Sequence, residues 1–217
     1  MKITLIEEQK KNKERVSIYI DEAYAFGVSL EILYKCNLKV GMILTEDFIS
    51  DVVKKEETLK ANNYAMNLIS MGGLKTEKEI RNKMIKKGFN DDDINNAIDL
   101  LKDYKYVDDR IYAEYYIKDK LQINGYGKNK IKSDLFRKGV SSEIINECLD
   151  EFVDEDNQFE LAIELGRKKA RTIKTDDFNI LYRRVGSFLQ GRGFSFDVIK
   201  KVMSVLKDEF KGGDDFF

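Results

Sequence analysis

The side chains best equipped for chemistry in this sequence are cationic, and the chemistry they offer is the binding of anions and polyanions. Between positions 118 and 138, seven cations stand against two carboxylates, Asp119 and Asp134. The cations are Lys118, Lys120, Lys128, Lys130, Lys132, Arg137 and Lys138. A second group is Arg167, Lys168, Lys169, Arg171 and Lys174, and a third is Arg183, Arg184 and Arg192. Tyr112, Tyr115, Tyr116 and Tyr126 lie near the first group. Aromatic rings beside cations stack on nucleic-acid bases or anchor a protein interface. A plainer reading stands beside this one: lysine-rich helix faces are usually solvated, and tyrosines at helical spacing usually belong to a core. The acidic run with Glu151, Asp154, Glu155 and Asp156 reads as helix termination.

Covalent and metal chemistry find little to work with. The chain has no histidine, the commonest general base and metal ligand. Gly125-Tyr126-Gly127-Lys128 has the look of a phosphate loop but lacks the spaced upstream glycine and a Ser or Thr after the lysine. Asp91-Asp92-Asp93 lacks the alternating ligands and the glycine of a calcium loop, and reads as a solvated helix start. Cys36 and Cys148 lie far apart without metal-ligand spacing, and read as buried free thiols in a reducing compartment. A non-enzymatic protein without cofactor or metal is the expectation. Lys and Arg number 38 and Asp and Glu 39, for a net charge of -1. A simple nucleic-acid binder is basic overall, so any such binding here rests on local patches. The sequence has neither an 18-residue apolar run nor a signal-peptide core, which predicts a cytoplasmic protein off the membrane.

The elements that must position these cations are mostly helical. Ile3–Ile6 and Val16–Ile20 read as strands joined by the polar stretch Glu7–Glu14, with a third strand over Tyr24–Val28 and a short helix over Ser29–Cys36. From Thr45 onward the periodicity is helical, and a pattern occurs three times. With Gly88, Gly139 and Gly193 aligned, apolar residues recur at −8 (Ile80, Ile131, Val185), −4 (Met84, Leu135, Leu189) and +1 (Phe89, Val140, Phe194). They recur again at +6 (Ile94, Ile145, Ile199), +10 (Ile98, Leu149, Met203) and +13 (Leu101, Phe152, Leu206). Steps of three and four place each set on one helix face. Each glycine follows a cation, Lys87, Lys138 or Arg192, and precedes an N-cap by two, Asn90, Ser141 or Ser195. Thr76 and Glu79 make a capping box. A further helix, capped by Asp108 or Asp109 and striped by Ile111, Tyr115 and Leu121, links the first two repeats, and residues 158 to 171 do the same after the second.

The reading is therefore mostly α: tandem three-helix, helix-turn-helix-like repeats in an elongated curved array, with a small N-terminal antiparallel β segment. Its divisions are 1–53 (β-rich segment), 54–124, 125–174 and 175–211 (repeats one to three) and 212–217 (flexible acidic tail).

Tyr106-Val107-Asp108-Asp109-Arg110-Ile111-Tyr112-Ala113 is similar to the Gly-Tyr-Ile-Asp-Asp-x-x-Phe-Ala signature of the RecX family, regulators of the recombinase RecA. Lys87-Gly88-Phe89, the run from Gly127 through Ile131 and Leu135 to Lys138-Gly139, Lys168-Lys169 and Phe188-Leu189…Arg192-Gly193-Phe194 support the resemblance, which spans roughly residues 60 to 210. The strand-rich N-terminus resembles an extension of clostridial-type members. Lys105 stands where the signature has glycine, and Gly72-Gly73-Leu74-Lys75 replaces an arginine-containing stretch. The resemblance implies tandem three-helix modules with Tyr106, Asp108, Asp109, Ala113 and the three repeat glycines as structural motif residues. It also implies a protein that lies in the groove of RecA filaments on single-stranded DNA and restrains the recombinase in repair, recombination and the SOS response; a monomer is expected. The three cation groups are the contact candidates, with weak direct binding to DNA. A helix-turn-helix-type DNA-binding regulator and a helical-repeat scaffold are the alternatives; near-zero net charge weighs against the first.

Overall fold

The computed structural model describes residues 1–212. Three strands, β1 (Ile3–Gln9), β2 (Asn12–Ile20) and β3 (Ala23–Ser29), precede ten helices among these residues. The helices are α1 (Leu30–Lys35), α2 (Glu46–Ser70), α3 (Glu77–Lys87), α4 (Asp91–Asp103), α5 (Asp109–Gln122), α6 (Lys128–Arg137), α7 (Ser142–Phe152), α8 (Glu155–Ala170), α9 (Phe178–Gly191) and α10 (Phe196–Gly212). The chain divides into two compact units: Met1–Gly73 with Ile80–Tyr106, and Leu74–Glu79 with the chain from Val107 onward.

In the first unit the strands form an antiparallel sheet in chain order. Asp21 and Glu22 both take positive φ, the conformation a two-residue hairpin between right-twisted strands requires. The polar stretch expected to join β1 and β2 is mostly strand. Glu7 pairs with Ser17 and Gln9 with Asn12, so only Lys10 and Lys11 remain in the turn. Polar residues on the solvated side of a sheet carry no loop signal. Ile3, Val16, Ile18, Ile20 and Val28 bury the other side against Ile32, Leu38, Leu44 and Val52. Glu56 of α2 ties helix to sheet: its buried carboxylate accepts from Arg15, from the Ser29 N–H at 2.9 Å and from the Ser29 hydroxyl at 3.0 Å. A buried charge needs such a full set of partners. Asp93, expected to be solvated, is buried instead, accepting from Thr58 Oγ1 at 2.8 Å and Asn90 Nδ2 at 2.8 Å.

The repeat positions hold. Of the eighteen aligned apolar side chains all are buried except Phe89 and Phe152, which are half-buried. Asn90, Ser141 and Ser195 each accept a backbone N–H three residues on. Thr76 and Glu79 bond reciprocally.

In the second unit α5, α6 and α7 enclose Tyr112, Ala113, Ile117, Ile131, Leu135 and Leu149. The helices α8, α9 and α10 enclose Ile163, Leu181, Val185, Leu189, Val202 and Leu206. Each linking helix thus packs with the repeat that follows it, whereas divisions at 124/125 and 174/175 assign it to the one before. The stripe expected on α5 is also displaced. Ile111 and Tyr115 face solvent, Leu121 is half-buried, and the core face is Tyr112, Ala113 and Ile117. Apolar residues occur on every side of this helix, so spacing alone does not select the buried one. Among the described residues no helix is long and apolar enough to cross a membrane. The acidic tail expected over 212–217 lies, from residue 213, outside the described residues.

Candidate nucleic-acid interface

The first cation group is largely matched by its own fold. Lys120 Nζ lies 2.6 Å from Asp119, Lys128 Nζ 2.9 Å from Asp150 and Lys138 Nζ 2.7 Å from Glu79. Arg137 pairs with Asp134, and Lys132 donates to Asn146 at 2.8 Å. Lys118 and Lys130 lie over the rings of Phe152 and Tyr126, 4.3 and 4.8 Å from their centroids. Exposed pairs are individually weak, but their carboxylates still offset the local field. Of the four tyrosines only Tyr115 is freely exposed; Tyr112 is buried, and Tyr116 donates to Asp134 at 3.2 Å. Burial and the neighbouring Asp134 push the Tyr116 phenol up to about 12.

Lys138 is a joint residue. Burial works to lower its pKa, but hydrogen bonding to Glu79 and Tyr112 outweighs that and holds the ammonium above its ordinary range. The Lys138 carbonyl meanwhile accepts from Thr76 Oγ1 at 2.7 Å.

The Gly125–Lys128 stretch has a packing role. The Gly127 N–H donates to the Arg192 carbonyl at 2.8 Å and the Asn129 N–H to the Gly193 carbonyl at 3.0 Å. A Cβ on Gly127 would stand 2.5 Å from the Gly193 backbone. The Lys128 N–H goes to Gln158 Oε1 at 2.9 Å. The first turn of α6 uses these donors within the protein rather than on an anion.

The second and third groups are rearranged by helix geometry. Arg167 pairs with Glu209 at 2.6 Å, a hydrogen bond that raises the pKa of its guanidinium. Lys168 pairs with Glu164 at 2.6 Å, and Arg171 lines a hollow shared with Glu160 and Glu164. Lys169, turned about 100° from Lys168 around α8, points instead toward α9, its Nζ 5.8 Å from the Phe188 ring centroid. From the third group Arg192 is withdrawn: it donates to the Asn124 carbonyl and lies 4.9 Å from the Phe188 ring centroid. Arg183 and Arg184 remain exposed on α9. Together Lys169, Arg183 and Arg184 line one hollow of about 680 Å³ with Thr172, Ile180 and Ser187, and no carboxylate is among its described lining residues. The sequence grouped cations by adjacency. The Glu164-to-Lys168 spacing of four was the legible sign that part of the second group pairs on its own helix.

Among the motif residues, Asp108 caps α5, accepting the Arg110 N–H at 2.8 Å, while Asp109 accepts the Glu77 N–H at 2.9 Å and so ties α5 to the start of α3. Ala113 is fully buried, and Tyr106 stacks on Tyr104. Gly88, Gly139 and Gly193 all take positive φ. So does Lys105, where the family signature has glycine.

Three consecutive three-helix modules following a three-stranded sheet in the chain, with a cation-lined hollow on the last module, define a helical-repeat protein. The regulatory protein RecX N-terminal domain model matches residues 1–45. The models of the first, second and third RecX three-helix domains match residues 61–101, 108–149 and 155–203. The chain is 40% identical over 208 residues to regulatory protein RecX of Clostridium botulinum (strain Eklund 17B / Type B), covering 93% of this chain and 94% of the relative. It is 34% identical to that of Clostridioides difficile (strain 630), covering 94% and 95%. A crystal structure of regulatory protein RecX superposes with a TM-score of 0.75 at 27% identity, covering 94% of this chain and 98% of that one. RecX from Lactobacillus salivarius superposes at 0.65 and 27% identity, covering 70% and 98%. The chain belongs to the RecX family.

Proposed function

We propose that this protein binds filaments of the recombinase RecA on single-stranded DNA, lies in their groove and restrains recombinase activity. The observation that carries the reading is membership of a family of regulatory proteins along nearly the whole chain. The modules act by binding, as a non-enzymatic cytoplasmic monomer without cofactor. Among the candidate contacts, Lys169, Arg183 and Arg184, which share one hollow with no carboxylate among its described lining residues, are best suited to a phosphate-rich partner. The test is RecA ATPase and strand exchange on single-stranded DNA, with and without this protein. Inhibition at or below one protein per recombinase is expected. Unchanged activities of the cognate recombinase at saturating protein would overturn the proposal. Tighter binding to plain duplex than to filaments at matched salt would favour the DNA-binding regulator instead.

A further inference from the structure

The hollow lined by Lys169, Arg183 and Arg184 has a neighbour. A second hollow of about 560 Å³ shares Arg183 and Ser187 with it and is otherwise lined by Tyr182, Gly186, Phe194 and Phe196 among others, again with no carboxylate among its described lining residues. Phe196 is 72% exposed and Tyr182 38%. Scattered exposed apolar residues are ordinary, but here two aromatic rings line one hollow with the arginine that also walls the cationic hollow. Gly186 lines the same hollow, and a Cβ there would meet nothing nearer than Ile199 at 3.9 Å. Backbone strain does not require glycine there, since Gly186 is not among the positive-φ residues.

Cations on one side and accessible rings on the other are the two halves of a single-strand binding surface: charges follow the phosphates while unpaired bases stack on the rings. A duplex keeps its bases stacked inside and would engage only the cationic half. We propose that the α9 face of the third module is a direct single-stranded DNA site, with phosphates at Lys169, Arg183 and Arg184 and bases on Tyr182 and Phe196. The choice of DNA rests on the function proposed above; the choice of single over double strand rests on the rings.

The test uses the full chain, a fluorescent oligothymidylate and a duplex of equal length, with no recombinase present, titrated by anisotropy between about 50 and 200 mM salt. The single strand is expected to bind more tightly than the duplex. Arg183→Gln with Arg184→Gln lowers affinity for both and flattens the single-strand log-log salt slope by about 1.4, or roughly 0.7 for each phosphate no longer neutralised. Phe196→Ala and Tyr182→Ala each reduce single-strand affinity by about tenfold, leaving the salt slope and duplex binding unchanged. Gly186→Leu, which places a side chain at a residue lining the hollow while improving helix propensity, weakens single-strand binding without lowering the melting temperature. Equal binding of single strand and duplex, or ring and Gly186 variants that bind the single strand like the parent, would overturn the site. Recombinase inhibition that persists without bare-strand binding would overturn this inference alone. Bare-strand binding with no effect on the recombinase would overturn the proposed function alone.

Discussion

Lys105 sits at φ 57°, in the left-handed region just past α4. Its amide donates to the Lys102 carbonyl at 2.8 Å and the following Tyr106 N–H to Leu101 at 2.8 Å, so the helix end is closed by a turn that needs this conformation. Placing a side chain with a Cβ there costs about 1–2 kcal/mol. Lys105→Gly is therefore expected to stabilise the protein by about 1 kcal/mol, part of the relief being offset by the greater freedom of glycine in the unfolded chain. A melting temperature at or below the parent's would show that the Lys105 side chain makes a compensating interaction. A second residue-scale expectation concerns Lys138. Its folded-state pKa lies above the ordinary 10.5, so the stability it contributes is fully present below that value and is lost as pH rises through the folded pKa. Lys138→Gln should thus lower stability by a constant amount from neutral to mildly alkaline pH, with the deficit shrinking only at higher pH. Urea denaturation at a series of pH values reads this, and a deficit that grows with pH would contradict it.

At the scale of elements, α6 and α9 both carry cations, but Lys128 and Arg137 of α6 pair with Asp150 and Asp134, whereas Arg183 and Arg184 of α9 line a hollow with no carboxylate among its described lining residues. Lys128→Glu with Lys132→Glu acts where Asp150 and Asn146 already engage the side chains. Arg183→Glu with Arg184→Glu acts in a hollow with no carboxylate among its described lining residues. Both should weaken filament binding, the α9 pair by at least several-fold more and with the larger loss of salt dependence. Equal effects in a filament pull-down would return the first group to the centre of the interface. The sequence showed that α6 and α9 exist and which face each buries, because a turn glycine and a cap at fixed spacing pin the register of Ile131, Leu135, Val185 and Leu189. It did not show the pairing of cations, which depends on residues such as Glu79 and Glu209 brought in from distant positions. The helix α5 escaped for another reason: with Ile111, Tyr112, Tyr115 and Tyr116 spread around it, several stripes fit equally well.

At the scale of the molecule, the repeats were visible in the sequence while the joints between them were not. A joint here is a backbone approach, and Gly127 differs from an ordinary loop glycine only by what comes near it. The joint has a recurring form in the second unit. The Gly139 turn meets Lys78 at the start of α3, and the Gly193 turn meets Lys130 at the start of α6, each within 2.4 Å of an added Cβ. The Gly88 turn has the same φ, but a Cβ there would meet nothing within 4 Å. Stability in such a series depends on nearest-neighbour packing as much as on the modules themselves. Gly127 allows the joint to be tested apart from backbone strain, because its φ of −78° and ψ of 161° suit any residue. In open space Gly127→Ala would be neutral or mildly stabilising. Against the Gly193 backbone at 2.5 Å it must force the second and third modules apart, with a cost of about 1–3 kcal/mol. The amide of Asn129, which donates across the joint to Gly193 at 3.0 Å, should then exchange with solvent faster, and α9 and α10 should lose protection before α5 to α7. Unchanged stability together with unchanged Asn129 exchange would mean that the two modules do not depend on this approach of their backbones.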